Sequence, residues 1–350
     1  MRLILYSLLL TSIAIAQRIE VKEASRIVMP GEVDSNSPAF WRDGQFHLIN
    51  STGIGPLLSQ GSTQFNLADP RLSTIVRPDR SWPTWIEAVW VDPSGTILAW
   101  YHQEHEYICG AQRPAIPRIG AAMSYDGGKT FWDQGIILSS GDPVDCSSKN
   151  GYFAGGHGDF SVVLDREQKY FYFLFTNYAG PVETQGVVIA RMAFENRFHQ
   201  ASAVWKYKDG EWNQPGVGGG VTPIFRARVS WQQSNTDSYW GPSVHWNTYL
   251  NTFVVLMNRS CCEAGFPQKG IYASFNDDLS NPKGWKFPRK ILSGVFWYPQ
   301  VLGSELGETD SVAGRQARLY VFGESKWELI FHKIRPGERE PAPPEPVTEP

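Results

Sequence analysis

Five strand–turn–strand units with polar ends recur along this chain, and the recurrence narrows the possible folds more than any other feature. The first covers 34–41, a turn at Asp43-Gly44, and 46–50. The second covers 85–91, a turn over 92–95, and 97–104. The third covers 158–164 and 170–177, the fourth 241–246 and 252–258, the fifth 298–302 and 318–324. Hairpins spaced a few tens of residues apart mark a radial β architecture. A hairpin sets the start of its first strand beside the end of its second. Each unit therefore delivers two polar clusters to one face of the molecule. Third strands follow at 119–124, 186–192 and 270–275. Five units growing toward four strands each predict an all-β chain, a five-bladed β-propeller over 20–333. No amphipathic helix longer than two turns is legible.

Composition agrees with this class. Phe, Trp and Tyr make up 13% of 350 residues, with 33 Gly and 24 Pro to punctuate strands. A formal net charge of −3 leaves no basic surface for nucleic acid. Residues 1–16 read as a secretory signal peptide: Arg2, an apolar stretch over 3–15, and an Ala14-Ile-Ala16 cleavage site. That stretch is shorter than the ~20 residues of a bilayer span. The expectation is a secreted or periplasmic monomer that leaves the membrane once the signal is cut. Export permits disulfides. Cys109 and Cys146 flank one connection and can pair. Cys261 and Cys262 are neighbours, and four cysteines allow three pairings. Asn50-Ser-Thr52 and Asn258-Arg-Ser260 match glycosylation acceptors. Residues 336–350 are rich in Pro and Glu, lack aromatics, and read as a disordered tail.

The charges fall in a pattern. Asp34, Glu87 and Asp159 sit at or near the start of the innermost strands of units one, two and three. Inner strands of a propeller line its channel, so three neighbouring blades would bring three carboxylates to one channel mouth. Glycosidic cleavage uses such a set: a protonated carboxyl releases the leaving oxygen, and an ionised one activates water or attacks the sugar. Like charges held close raise one pKa and so separate the roles. An Asp at a strand start also caps turns, but recurrence in successive units favours chemistry. Glu104 lies at the return end of the second hairpin and competes for the role of acid.

Other polar ends suit hydroxyl recognition, among them Asn50 and Asn177. Trp41, Trp240, Trp297 and Tyr298 offer rings for the apolar faces of sugars. His102, His157 and His245 are further candidates for substrate contact. His102 and His105 form a His-x-x-His pair without an evident third ligand, so no metal and no cofactor are expected. The long loops over 100–119 and 138–160 carry Trp, Tyr, His and Cys, and are expected to shape a pocket. The run from Ser124 to Phe131 matches an Asp-box, S-x-D-x-G-x-T-[FW], a hairpin turn with no catalytic role.

With these residues in place, the chain resembles the five-bladed propeller glycoside hydrolases: the arabinanases, β-xylosidases and invertase-type enzymes. The resemblance implies Asp34 as base or nucleophile. It implies Glu87 as pKa modulator or acid, and Asp159 as acid or modulator. The order here is Asp, Glu, Asp where that family has Asp, Asp, Glu, and Pro38 does not directly follow Asp34. The resulting expectation is a secreted glycoside hydrolase acting on carbohydrate. The alternative is a non-catalytic propeller that binds glycan or protein.

Overall fold

Strict alternation on two buried faces makes the strands and sets their neighbours. In the strand Tyr170–Asn177, Phe171, Phe173 and Phe175 pack into one apolar core, while Tyr172 and Leu174 pack into another. In Thr252–Ser260, Phe253, Val255 and Met257 face one core, and Val254 and Leu256 face the next. A strand with period 2 and apolar residues on both faces must lie between two other sheets. Five such cores, one between each pair of neighbouring sheets, impose a ring.

The computed structural model describes residues 16–76, 82–110 and 114–334. The segment expected to be a signal peptide, up to residue 15, and the tail expected to be disordered, over 336–350, lie outside the described residues. Five sheets form a five-bladed β-propeller. Blade 1 runs outward through Ala39–Arg42, Gln45–Thr52, Gly55–Gly61 and Arg71–Leu72. Blade 2 has Thr84–Val91, Ile97–His105, Ile116–Ser124 and Thr130–Leu138, with Thr74–Val76 on its outer edge. Blade 3 has His157–Leu164, Tyr170–Asn177, Gly186–Ala193, Val204–Lys208 and Glu211–Pro215. Blade 4 has Ser238–Asn247, Thr252–Ser260, Gln268–Asn276 and Arg289–Leu292. Blade 5 has Pro299–Gly303, Gln316–Val321 and Glu324–Ile334, and takes its outermost strand, Ala16–Val28, from the other end of the chain. That strand pairs antiparallel with the last one, Val21 opposite Leu329. The helical elements among the described residues are three short 3-10 turns, and no helix there is long and apolar enough to cross a membrane.

Polar side chains link each blade to the next around the channel. Ser51 Oγ accepts the Ile86 N–H at 2.9 Å, joining blades 1 and 2. Glu87 Oε2 accepts the Phe160 N–H at 2.7 Å, joining 2 and 3. Ser161 Oγ accepts the Val244 N–H at 3.0 Å, joining 3 and 4. Asn258 Oδ1 accepts the Tyr298 N–H at 3.1 Å, joining 4 and 5. Gln300 closes the circle on both polar groups of Ser37, at 2.6 and 2.7 Å. Across the channel, Asn36 Nδ2 donates to the carbonyls of Phe160 and Pro242, at 3.0 and 3.2 Å.

The Asp-box forms the expected turn. Asp126 Oδ1 accepts the Ser124 hydroxyl at 2.9 Å and the Lys129 and Thr130 N–H groups at 3.1 and 2.9 Å. Cys109 and Cys146 are bridged, and a second bridge joins Cys261 to Cys262.

Candidate active site

Bulges re-aim an acidic side chain on the inner strands of blades 2 and 3. In a regular inner strand, every side chain would point into one of the two flanking cores. Pairing of Thr84–Val91 skips between Ile86 and Ala88, which leaves Glu87 as the extra residue. Pairing of His157–Leu164 skips between Gly158 and Phe160, which leaves Asp159 extra. Blade 4 skips at the same place, between Trp240 and Ser243. A bulge re-aims the side chain it frees. Asp159 takes a left-handed φ of +41° to do so, a conformation that costs a non-glycine residue on the order of 1–3 kcal/mol.

A cavity of about 300 Å³ opens at this mouth, at the low end of the ~300–1,000 Å³ range of small-molecule sites. One wall is acidic: Asp34 from the loop before blade 1, Glu104 from the second strand of blade 2, and Asp159 from blade 3, with His102 beside them. Much of the remaining lining is aromatic, including Tyr152, Trp231, Trp240, Phe266, Trp297 and Tyr298. These rings support each other edge to face or stacked. Tyr152 stands 6.0 Å from Trp297 and 5.8 Å from Phe266, and Trp240 stands 5.9 Å from Trp297. Asn150 fixes the loop that carries Tyr152: its Oδ1 accepts the Tyr152 and Phe153 N–H groups and its Nδ2 donates to the Trp231 carbonyl. The Cys109–Cys146 bridge ties this loop to the one before it.

Glu87 lies one layer deeper than the sequence suggests. It does not line the cavity. Its Oε1 is 3.1 Å from His102 Nδ1, and its Oε2 is the acceptor that joins blades 2 and 3. Burial pushes its carboxyl up to about 8. Burial also pushes Glu104 up to about 7 and Asp159 up to about 6, with His102 opposing both shifts and neighbouring carboxylates adding to them. Asp34 is raised by burial too. The Tyr178 hydroxyl donates to Asp159 Oδ2, and the Tyr178 ring stacks on Phe153 at 4.3 Å.

Glu87, His102 and Asp159 offer ligand atoms within 4.8 Å of one another, a spacing a cation could use. Each already commits a donor atom to the protein: Glu87 to Phe160 and His102, His102 Nδ1 to Glu87, Asp159 to Tyr178. Glu87 and His102 bond each other and Asp159 bonds Tyr178, and no metal is assigned to the three.

Of the residues singled out in the sequence, Asp34, Glu104, Asp159, His102, Trp240, Trp297 and Tyr298 meet at this cavity. Five others do not line it. Asn50 and Asn177 sit at corresponding ends of second strands and pin the backbone there, donating to Pro30 and to Thr184. Trp41 packs on Phe46 and donates to the Glu308 carbonyl at 2.8 Å. His157 is buried against Lys206, its Nε2 3.2 Å from the amine. His245 follows the blade 4 bulge, faces blade 5 and packs on Phe331 at 5.6 Å. Both of its ring nitrogens lack partners, and burial lowers its pKa to about 3. Tyr152, Trp231 and Phe266 were missed. They come from three separate loops, and no local pattern marks them as neighbours.

No protein-family profile matches this sequence, and a comparison with curated proteins returns no match. Solved structures do match. An exo-β-1,3-galactanase structure from Bifidobacterium bifidum S17 aligns with a TM-score of 0.50 at 12% identity, over 89% of this chain and 93% of that one. A family 43 glycoside hydrolase structure from Bacillus licheniformis aligns with a TM-score of 0.50 at 13% identity, over 88% of this chain and 73% of that one. The chain has the five-bladed propeller fold of these structures. At such identity the likeness establishes the fold of this family 43-like propeller, and its chemistry must be argued from its own residues.

Proposed function

We propose that this propeller hydrolyses O-glycosidic bonds. One observation carries the reading: carboxylates from blades 1, 2 and 3 open on one cavity whose lining is otherwise largely aromatic. Rings suit the apolar faces of a sugar, and the carboxylates supply the acid and base. Glu104, raised to about 7, keeps a large protonated fraction at neutral pH and serves as the general acid toward the glycosidic oxygen. Asp34 serves as base or nucleophile, and Asp159, held by Tyr178, tunes both. Glu87 supports this set from behind. The similar structure from Bifidobacterium bifidum S17 is named for exo-β-1,3-galactanase activity, so galactosides belong in the substrate panel.

The test is release of the aryl group from a panel of aryl glycosides, galactosides, xylosides and arabinosides among them. Wild type should turn over at least one. Asp34→Asn and Glu104→Gln should each lower kcat by about 10²–10⁴-fold. Saturable glycan binding with no turnover of any member would replace hydrolysis by binding alone.

A further inference from the structure

Glu87 is only 2% exposed and lies outside the cavity lining, yet it belongs to the carboxylate group around His102. Its two oxygens have separate duties. Oε2 accepts the Phe160 N–H, which can only donate. A proton must therefore lie in the 3.1 Å contact between Oε1 and His102 Nδ1. The ion-pair partner of Glu87 among the described residues is His102. If the pair held one proton fewer, it would bury a negative charge facing Asp34, Glu104 and Asp159. Burial and like-charge repulsion both oppose that state. So one proton is shared between Oε1 and Nδ1, and a second sits on Nε2. Whichever end of the shared contact holds the first, Nε2 carries hydrogen.

His102 Nε2 is buried and has no hydrogen-bond partner among the described residues. It stands 3.8 Å from Glu104 Oε1. Gly158 leaves room for the ring there, since a Cβ on it would lie 2.9 Å from Nε2. On the other side the Trp85 ring flanks the imidazole at 5.5 Å. The imidazole thus has little freedom to turn away from Glu104.

We propose that Glu87 and His102 form a positioning pair that holds an Nε2–H donor against Oε1 of Glu104, leaving the acid proton of Glu104 on Oε2. The proposal rests on the reading of Glu104 as the acid. The contact tightens when substrate closes the site, as long hydrogen bonds in unliganded sites commonly do. In the step, the Glu104 Oε2–H bond and the glycosidic C–O bond break, an O–H bond forms on the leaving oxygen, and the anomeric carbon bonds either to a water that gives its proton to Asp34 or to Asp34 itself. The carboxylate left behind is stabilised by the Nε2–H bond and regains its proton from water, while Glu87 and His102 keep theirs. The Glu87–His102 pair thus stays neutral as a whole through the step, and Glu87 does not touch substrate.

Glu87→Gln separates this role from that of an ionising carboxylate. A glutamine accepts the Phe160 N–H through its carbonyl and donates its amide hydrogen to Nδ1, reproducing the protonated acid. The first measurement is the imidazole ¹⁵N–¹H spectrum at neutral pH, with His102 assigned by its loss in His102→Gln. Wild type and Glu87→Gln should both carry hydrogen on Nε2. Hydrogen on Nδ1 alone in wild type overturns the proposal. This readout needs no turnover, so its failure is distinct from failure of the hydrolase reading. The second measurement uses an aryl glycoside that wild type cleaves. Glu87→Gln should keep kcat within about threefold and leave the pH profile in place. Glu87→Leu, which leaves Nδ1 without a donor, should lose about tenfold or more. A Glu87→Gln variant as inactive as Asp34→Asn shows that the ionised carboxylate is required and also overturns the proposal.

Discussion

Glu87 shows how one residue couples stability to acidity. Its carboxyl titrates near 4.5 in water and at about 8 in the folded chain. Between those values the unfolded chain has released a proton that the folded chain retains. Its contribution to stability is therefore full below the lower value and is lost as pH rises through the upper one. Glu104 and Asp159 act in the same direction, with upper ends of about 7 and about 6. The buried His157 and His245, whose pKa values are lowered, act oppositely below about 6.5. The difference between Glu87→Gln and wild type isolates the glutamate. The variant should gain in relative stability from pH 5 to pH 8, by on the order of a few kcal/mol, read from urea unfolding midpoints. A gap that stays constant or shrinks over that interval would contradict a protonated, buried Glu87. At this scale the sequence was only partly informative. It singled out Glu87 as acidic and near a strand start. It held no sign of the bulge that turns the side chain toward His102 and away from the cavity.

Strands and turns were far more legible. Alternating apolar residues between Gly, Asp and Pro turns placed all five hairpins, because a strand packed on both faces writes its two cores into its odd and even positions. The consequence can be measured in Tyr170–Asn177. Phe173 is fully buried between blades 2 and 3. Truncation by Phe173→Ala should cost about 3–5 kcal/mol and lower the thermal midpoint, with no change in the aromatic wall on the far side of blade 3. A loss below ~1 kcal/mol would mean that the core is looser than its burial implies. Where an element has irregular pairing, alternation misleads. His245 lies three residues beyond the Gly241-Pro242 bulge and faces blade 5 rather than the channel. The aromatic wall was illegible for a different reason. Tyr152, Trp231 and Phe266 meet only after three blades have taken their places.

At the scale of the whole molecule, a ring of five sheets has one seam, and here it lies within blade 5. Ala16–Val28 covers the edge of Glu324–Ile334 along most of its length, and without it that edge would offer unpaired backbone groups to other chains. A variant lacking residues 17–28 should therefore aggregate or unfold at lower temperature than the full chain, as followed by light scattering during a thermal ramp. Full retention of solubility and midpoint would show that the remaining strands of blade 5 suffice. The seam also has a meaning in time. The stretch that completes the last sheet is made long before the strand it pairs with. During synthesis the nascent chain carries an orphan strand with nothing to pair with, exposed to proteases and to its neighbours on the polysome. The circle can shut only when both strands of the seam are present together.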